Sequence, residues 1–361
     1  MGTSDQLDDF QRRHRFVGIP VAVAYKFFDD QGNYLAAIIT YYAFVAIFPL
    51  LLIASSVLGF VLQGDAVLQN SILNSALGQF PIIGDQLARP EGLRGSTLAV
   101  VFGSVAALYG ALGLGQASQN AMNIAWAVPR NSRPNPFLGR LRSLILLVLA
   151  GFSVLALTLI SAIGSSTQVF GARIDTTLRW VIMLATVLLI TVVFTFLFRL
   201  AAARKHSLSR AVPGAFAVAL MWQVLQIAGS AYARHVVGKA DSVNGTFAFV
   251  LGIIAVIYVA TVMVIIGIEI NVVLAKSLYP RALLTPFTDN VELTDADRRA
   301  YSEYAKAQRH KGFESVKVTF NRKEPDPAPP PADGPATPNQ SQDQTRPQNR
   351  AGVNGRTEID R

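Results

Sequence analysis

The side chains of this sequence that could do chemistry lie within or beside long apolar stretches, and only one of those inside a stretch is a carboxylate. This carboxylate is Glu269, which stands in the run Gly-Ile-Glu-Ile-Asn, two residues before Asn271. An acid inside a membrane is a functional candidate by default. A helix that starts at Phe247 rises about 1.5 Å per residue and brings Glu269 to about 33 Å, close to the far membrane surface. Glu269 could therefore take part in transport or lipid contact, or it could pair with a loop arginine or extend to the surface.

Amide side chains form two groups inside or beside the apolar stretches. Four lie on roughly one face at the end of the second stretch, and two lie in the fifth stretch: Gln116, Gln119, Asn120 and Asn123, then Gln223 and Gln226. Buried amides are costly in hydrocarbon unless they are hydrogen-bonded. The first group could form a polar vestibule for the head group of a substrate, or it could hydrogen-bond neighbouring helices. We expect the second group to face the bundle interior.

The first apolar stretch carries two tyrosines and a proline, Tyr41, Tyr42 and Pro49. Proline cannot donate a backbone hydrogen bond, and Pro49 would crowd the carbonyl group of Val45, so we expect a kink in this helix. A kink can shape a cavity, although proline also occurs in membrane helices without such a role. A second proline, Pro213, lies near the predicted start of the fifth helix, where its missing N–H costs nothing.

Six continuous apolar stretches position these residues. They are Leu35–Leu62, Ser96–Gly115, Ser143–Gly164, Trp180–Phe198, Ala211–Ala233 and Thr246–Ala275. Each has roughly the 20 residues that a helix needs to cross a bilayer, and none alternates between polar and apolar residues as a barrel strand would. Only 15% of the residues are charged, against about 25% in soluble domains. The sequence therefore predicts an all-α fold, a polytopic membrane bundle of six transmembrane helices.

The second stretch also carries small residues at every fourth position, which are Ala99, Gly103, Ala107, Ala111 and Gly115. Such a stripe lets the backbone of another helix approach closely. The stripe predicts a helix-packing face, and the partner helix could belong to the same chain or to a second copy.

The basic residues beside the stretches predict the orientation. From the N-terminal segment to the C-terminal flank, the numbers of Lys and Arg alternate between four and two. Short loops rich in Lys and Arg stay in the cytoplasm. Both termini are therefore expected to be cytoplasmic, and an even number of spans follows from the same alternation.

The segments outside the six spans have their own character. We expect residues 1–34 to be a cytoplasmic segment whose part Phe16–Phe28 forms a helix, lying either on the inner leaflet or packed on the bundle. A second amphipathic helix is expected on the outer surface within residues 63–95. Residues 35–275 form the transmembrane domain, and 276–320 form a cytoplasmic segment with a short charged helix at Asp295–Arg309. Residues 321–361 are rich in proline and polar residues, which predicts a disordered tail.

Several classes of function are disfavoured by the sequence. There is no cysteine, and the four histidines are scattered without ligand spacing, so neither a metal site nor a cofactor is expected. No catalytic residues are assigned, and no phosphate-binding Gly-x-x-x-x-Gly-Lys-Ser/Thr loop is present. The net charge of +9 is accounted for by the loops, so nucleic acid is not an expected partner. We expect a protein that is not an enzyme.

Four motifs in order resemble the YihY/BrkB family of bacterial inner-membrane proteins. They are Tyr-Tyr-Ala-Phe followed by Phe-Pro-Leu-Leu, the segment Asn120–Trp126, Pro213-Gly214-Ala215 with Trp222, and Gly-Ile-Glu-Ile-Asn at 267–271. The resemblance extends over residues 20–280 and is greatest to the YhjD-like branch. It implies six helical spans and carries Glu269 and Asn271 over as family positions.

The resemblance implies a function only loosely, because the family has been called ribonuclease BN, associated with serum resistance, and linked in one branch to lipid or lipopolysaccharide export. RNA hydrolysis needs a general acid and base or a metal-bound water. This sequence has no cluster of His, Asp and Glu that would supply them, so we reject the nuclease assignment.

Two functions remain. The first is a transporter or flippase-like protein for a lipid or another amphipathic solute, and the second is a scaffold of the cell envelope with the proline-rich tail as its docking segment. Membrane lipids are the expected partners, together with a second copy of the chain or an envelope protein. Transport is favoured if Gln116, Asn120, Gln223, Gln226 and Glu269 converge on one cavity. Scaffolding is favoured if they make separate helix contacts.

Overall fold

Within the described part of the chain, every regular element is helical. The computed structural model describes residues 3–61, 97–165, 176–203, 207–236, 242–285 and 291–320, with side chains described outside 3–5, 48–61, 97–104, 107, 136, 154–179, 182 and 229–249. This part contains α1 (Thr3–Arg13), α2 (Arg15–Asp29), α3 (Gly32–Val61), α4 (Thr97–Ala125), α5 (Pro136–Ser165), α6 (Thr176–Ala201), α7 (Leu208–Val236), α8 (Ser242–Lys276) and α9 (Asp295–Ala307).

The six helices α3 to α8 coincide with the six predicted stretches, so the helices expected there are confirmed. They have between 26 and 35 residues, which at about 1.5 Å per residue is enough to cross a bilayer. Three segments within the described residues meet both length and apolarity requirements for a span: Met183–Ala201, Leu208–Ala228 and Val250–Lys276. The shorter Gly32–Ile47 is also apolar. That all six helices cross the membrane stays a prediction.

Each long helix packs against the next one in the chain, and the last closes on the first. Contacts join α3 to α4, α4 to α5, α5 to α6, α6 to α7, α7 to α8, and α8 to α3, while α2 packs on α8 and α3. Contacts near the helix ends show an antiparallel order. Leu35 near the start of α3 packs with Ala121 and Ile265 near the ends of α4 and α8. The start of α5 meets the ends of α4 and α6, and the start of α7 meets the end of α8. The starts of α3, α5 and α7 therefore lie at the same end as the ends of α4, α6 and α8, and we call this the terminal end.

The main described hydrophobic core lies at the terminal end. It joins α4, α6, α7 and α8 through Met122, Phe198, Ala215 and Val272, and it extends to α2 and α9. Many of its members are alanines, whose small side chains allow close helix approach. Two short helices from the beginning and end of the chain thus complete the core of the bundle.

The helix α9 confirms the prediction of a short charged helix after the last span. It begins with a capping box in which the Thr294 side chain accepts from the N–H of Asp297 and the Asp297 carboxylate accepts from the N–H of Thr294. The box satisfies backbone groups that a helix start leaves unpaired. One face of α9 carries Asp297, Tyr301 and Tyr304, which point into the terminal end.

The structure also bears on the predicted packing stripe. A Cβ at Gly115 would lie 2.5 Å from the Cβ of Ser143, so α4 and α5 approach closely at this glycine. Ala111 is buried as well. The side chains of Ala99, Gly103, Ala107 and Pro49 lie outside the described residues, as do the segment 63–95 and the tail 321–361.

Candidate functional site

Four polar side chains from distant parts of the chain meet at the terminal end and form what we call the ionic cluster: Lys26, Asp30, Glu269 and Tyr304. Lys26 lies on α2, and Asp30 is the residue that caps its end. Glu269 lies near the end of α8 and Tyr304 lies on α9. The side chains of the first three are at most 3% exposed.

Within the ionic cluster, Asp30 has two hydrogen-bond donors and Glu269 has none. The ammonium group of Lys26 donates to the Asp30 carboxylate, and the hydroxyl group of Tyr304 donates to the other Asp30 oxygen at 2.5 Å. The Glu269 Oε2 atom lies 3.7 Å from Lys26 Nζ, which is an ion-pair distance but too long for a hydrogen bond. Neither carboxylate oxygen of Glu269 has a hydrogen-bond donor.

These contacts correct one expectation about Glu269. Its carboxylate is fully buried, so it does not extend to the membrane surface. Its ion-pair partner is a lysine of α2 and not a loop arginine. The reason is that α2 packs on α8 and brings Lys26 next to Glu269.

Burial and neighbouring charges shift the pKa values of Lys26 and Tyr304, which lie outside the long apolar helices. Burial lowers the pKa of Lys26, but the carboxylates of Glu269 and Asp30 outweigh it, so the pKa of Lys26 is raised and the ammonium form persists. Burial and the charge of Asp30 raise the pKa of Tyr304, which keeps its hydroxyl group protonated as a donor. The ionic cluster therefore holds one fixed cation and one fixed donor.

A second set of charges lies beside the ionic cluster. The guanidinium group of Arg281 is 1% exposed; it donates to the carboxylate of Asp297 and, at 3.2 Å, to that of Asp29. The rings of Tyr25 and Tyr301 lie within 5.8 Å and 5.4 Å of its central carbon. Burial lowers the pKa of Arg281, but the carboxylates of Asp297 and Asp29 raise it by more, so the pKa of Arg281 is raised overall.

Lys276 links the end of α8 to α4 and α9. Its ammonium group donates to the carbonyl oxygen of Trp126 at 2.8 Å and to the Glu303 carboxylate at 2.6 Å. A cation at the end of a helix satisfies exposed carbonyl groups and opposes the helix dipole. We infer that these two hydrogen bonds of Lys276 are structural.

Asn271 binds the backbone of α7 around Pro213. Its Oδ1 atom accepts from the N–H of Gly214 at 2.7 Å, and its Nδ2 atom donates to the carbonyl oxygen of Ala211 at 3.1 Å. The helix α7 starts at Leu208, so Pro213 lies inside it and the expectation of a proline at the helix start is wrong. Pro213 cannot donate a backbone hydrogen bond within α7, and Asn271 bonds the backbone on both sides of it, at Ala211 and Gly214.

The amides of α4 bind different neighbours. Gln119 is buried and donates to Gly139 O at 3.0 Å and to Ser143 Oγ at 2.9 Å, both on α5. Asn120 is exposed and accepts from Arg133 at 3.2 Å. Gln116 is exposed, and Asn123 is buried with its Oδ1 atom unpaired. Within the described residues, these four amides do not bind a common set of partners.

The remaining candidates lie away from the ionic cluster. Gln223 and Gln226 are half-buried on α7. Tyr41 is mostly exposed. The ring of Tyr42 packs at a tilt of 58° against the ring of Tyr109, with ring centroids 5.9 Å apart. A Cβ at Gly113 would overlap the Tyr42 ring, so this tyrosine fills the gap between α3 and α4.

The sequence interpretation missed Lys26, Asp30 and Tyr304 as members of a site. Lys26 and Asp30 stand four residues apart, the spacing of an ion pair on a helix, and this was the available signal. Among the residues that the structure describes, no group of three His, Asp or Glu side chains could hold a metal ion. The absence of a metal site nevertheless stays a prediction for the whole chain.

Comparison with known proteins places the chain in a family. The family described as Virulence factor BrkB matches residues 23–289, a range that contains Lys26, Asp30, Asn271 and Glu269. No curated protein and no solved structure matches the chain. The YhjD-like branch stays a prediction, because the match extends to the family alone. With most of its length matched, and with the apolar helices of a membrane protein, the chain belongs to the YihY/BrkB family.

Proposed function

We propose that this protein is a multi-pass protein of the bacterial inner membrane that moves a lipid or another amphipathic solute across the bilayer. In this proposal the helices α3 to α8 all cross the membrane and both termini lie in the cytoplasm. The alternation of basic loops supports this orientation. Contacts between the two ends of the chain support it too, since Asp8 accepts from the N–H of Leu283 at 3.1 Å.

The observation that carries the proposal is the burial of the ionic cluster. Removing a charge from water costs several kcal/mol, and a buried ion pair is often less stable than apolar side chains of the same volume. Ionisable groups inside membrane proteins therefore tend to mark pathways for ions or substrates. Glu269 is the extreme case here, because it is fully buried and has no hydrogen-bond donor.

The test is lipid movement in reconstituted liposomes, followed with a dye-labelled phospholipid whose outer-leaflet fraction is bleached chemically. We expect the wild-type protein to move the lipid between leaflets and Glu269→Gln to be slower by about tenfold or more, which corresponds to a barrier higher by about 1.4 kcal/mol. Asp295→Asn is the matched control, because Asp295 is an exposed acid on α9. It should keep the wild-type rate.

A second candidate function, an envelope scaffold, is favoured by one observation. Gln119 binds α5, Asn120 binds Arg133 and Asn271 binds α7, so these amides make separate helix contacts. Wild-type protein that is folded but moves none of several lipid classes would overturn the transport proposal. The scaffold would then be tested by crosslinking the chain to its neighbours in intact cells, with and without residues 321–361.

A further inference from the structure

The ionic cluster contains more negative than positive groups. Its chargeable members are Lys26, Asp30 and Glu269, and all three are buried. If all were ionised, the cluster would carry one uncompensated negative charge away from water. An isolated buried charge is so costly that such a group usually takes up a proton.

The neighbouring cations do not supply the missing charge. The titratable and charged groups that surround the cluster from α2, α8, α9 and the segment after α8 are Asp29, Lys276, Arg281, Asp297 and Glu303. Arg281 is engaged by Asp297 and Asp29, and Lys276 is engaged by Glu303. Within the described residues, Lys26 is therefore the one cation for two carboxylates.

The hydrogen bonds indicate where the proton belongs. Asp30 accepts from Lys26 on one carboxylate oxygen and from Tyr304 on the other, so both of its oxygens have a donor. Glu269 has no donor on either oxygen, and it shares the ammonium group of Lys26 with Asp30. A proton on Glu269 would remove the uncompensated charge from the carboxylate that no donor stabilises.

We propose that Glu269 is the binding site for one proton in the ionic cluster. A hydronium ion in the water on the side of the terminal end donates this proton: one O–H bond of hydronium breaks, one O–H bond forms on the Glu269 carboxylate, and a water molecule is released. No other covalent bond changes, and the charge of the cluster goes from minus one to zero.

The site gives the proposed transport a coupling ion. This step rests on the proposed function: a carrier with no nucleotide-binding loop needs a gradient, and exchange of this proton would connect helix movement to the proton gradient. Proton binding itself is independent of transport and is tested without it.

The direct test is infrared spectroscopy of the purified full-length protein in detergent, titrated with acid and base. We expect a C=O stretching band of a buried protonated carboxyl that is present at neutral pH and disappears as the pH rises. Glu269→Gln should lack this band. Asp295→Asn is the matched control and should keep it, because Asp295 is an exposed acid on α9. A wild-type protein without the band, or a band that survives in Glu269→Gln, would overturn the proposal.

Stability against pH gives an independent measurement. In the unfolded chain a glutamate loses its proton near pH 4, whereas the folded protein should keep the proton on Glu269 at higher pH. The folded state then binds one more proton than the unfolded state in this interval, so the unfolding equilibrium constant should rise about tenfold per pH unit until Glu269 deprotonates. Glu269→Gln mimics the protonated acid and should fold with a flatter pH dependence. Equal slopes for the two proteins would count against the site.

The two proposals can fail separately. A band that titrates with Glu269, in a protein that moves no lipid, would establish the proton site and remove the transport function. Lipid movement that persists at the wild-type rate in Glu269→Gln, with the infrared band gone, would leave transport standing without this proton as its coupling ion.

Discussion

Glu269 and Asn271 stand two residues apart on α8 and bind opposite neighbours. Glu269 lies 3.7 Å from Lys26 of α2, whereas Asn271 accepts from the N–H of Gly214 of α7 at 2.7 Å. Two residues along a helix turn the side chains about 200° apart, so they point to different faces. The motif Gly-Ile-Glu-Ile-Asn therefore holds one candidate for proton chemistry and one structural amide.

Replacing Asn271 with alanine should destabilise the protein. The N–H of Gly214 and the carbonyl oxygen of Ala211 would each lose a partner in a buried place, and an unsatisfied buried group costs about 1–3 kcal/mol. We expect a loss of about 3 kcal/mol in the free energy of unfolding, measured by circular dichroism during denaturation in mixed micelles. Gln116→Ala removes an exposed amide of α4 and should change the stability by less than about 0.5 kcal/mol. Equal effects of the two substitutions would contradict the assigned role of Asn271.

The crossing of α7 and α8 should not tolerate a side chain at Gly214. A Cβ there would lie 1.9 Å from the carbonyl oxygen of Gly267, so the backbones would have to separate. Overpacking of this kind costs about 1–3 kcal/mol, and occasionally more, and we expect Gly214→Ala at the upper end. Loss of thermal stability in detergent is the measurement.

Gly151 of α5 provides the matched comparison for Gly214. A Cβ at Gly151 would meet no atom within 4 Å, and alanine is favoured over glycine inside a helix by about 0.5–1 kcal/mol. Gly151→Ala should therefore leave the protein as stable or make it more stable. If Gly214→Ala behaved in the same way, the close crossing of α7 and α8 would be wrong.

The sequence predicted the helices well and the contacts of their polar residues poorly. Hydropathy alone placed α3 to α8, because a membrane-spanning helix needs little besides an apolar stretch of sufficient length. It also marked Glu269 and Asn271, since polar groups are rare there. The pairing of Glu269 with Lys26 joins opposite ends of the chain, and no local pattern encodes which short helix will pack on α8.

Arg281 and Asp297 should behave as one unit in a mutational cycle. Removing one member of a buried ion pair leaves the other charge uncompensated and costs about 3–5 kcal/mol. We expect a loss of this size for Arg281→Met, and a smaller loss for the double variant Arg281→Met with Asp297→Asn. Denaturation of the single and double variants in detergent gives the coupling energy.

The surface pair of Arg12 and Asp8 is the control for that cycle. Its atoms are 2.7 Å apart, but both side chains are partly exposed, and such pairs contribute about 0–1 kcal/mol. Arg12→Met should therefore cost less than about 1 kcal/mol. A double variant of Arg281 and Asp297 whose loss equals the sum of the two single losses would show that the residues do not act together.

The exposed face of α2 should lie in the inner leaflet. Phe16 is 94% exposed and Phe28 is 71% exposed, while Ala22, about 120° away from both around the helix, is buried against the bundle. Arg12, Arg13 and Arg15 precede this face, and each basic residue near an anionic membrane contributes about 1 kcal/mol of attraction.

Since the chain has no cysteine, Phe16→Cys can carry a single fluorescent label. Brominated lipids should quench this label, more strongly when the vesicles contain anionic lipid, whereas a label at the exposed Lys306 of α9 should stay bright. Equal quenching at both positions would mean that α2 only packs on the bundle and does not enter the membrane surface.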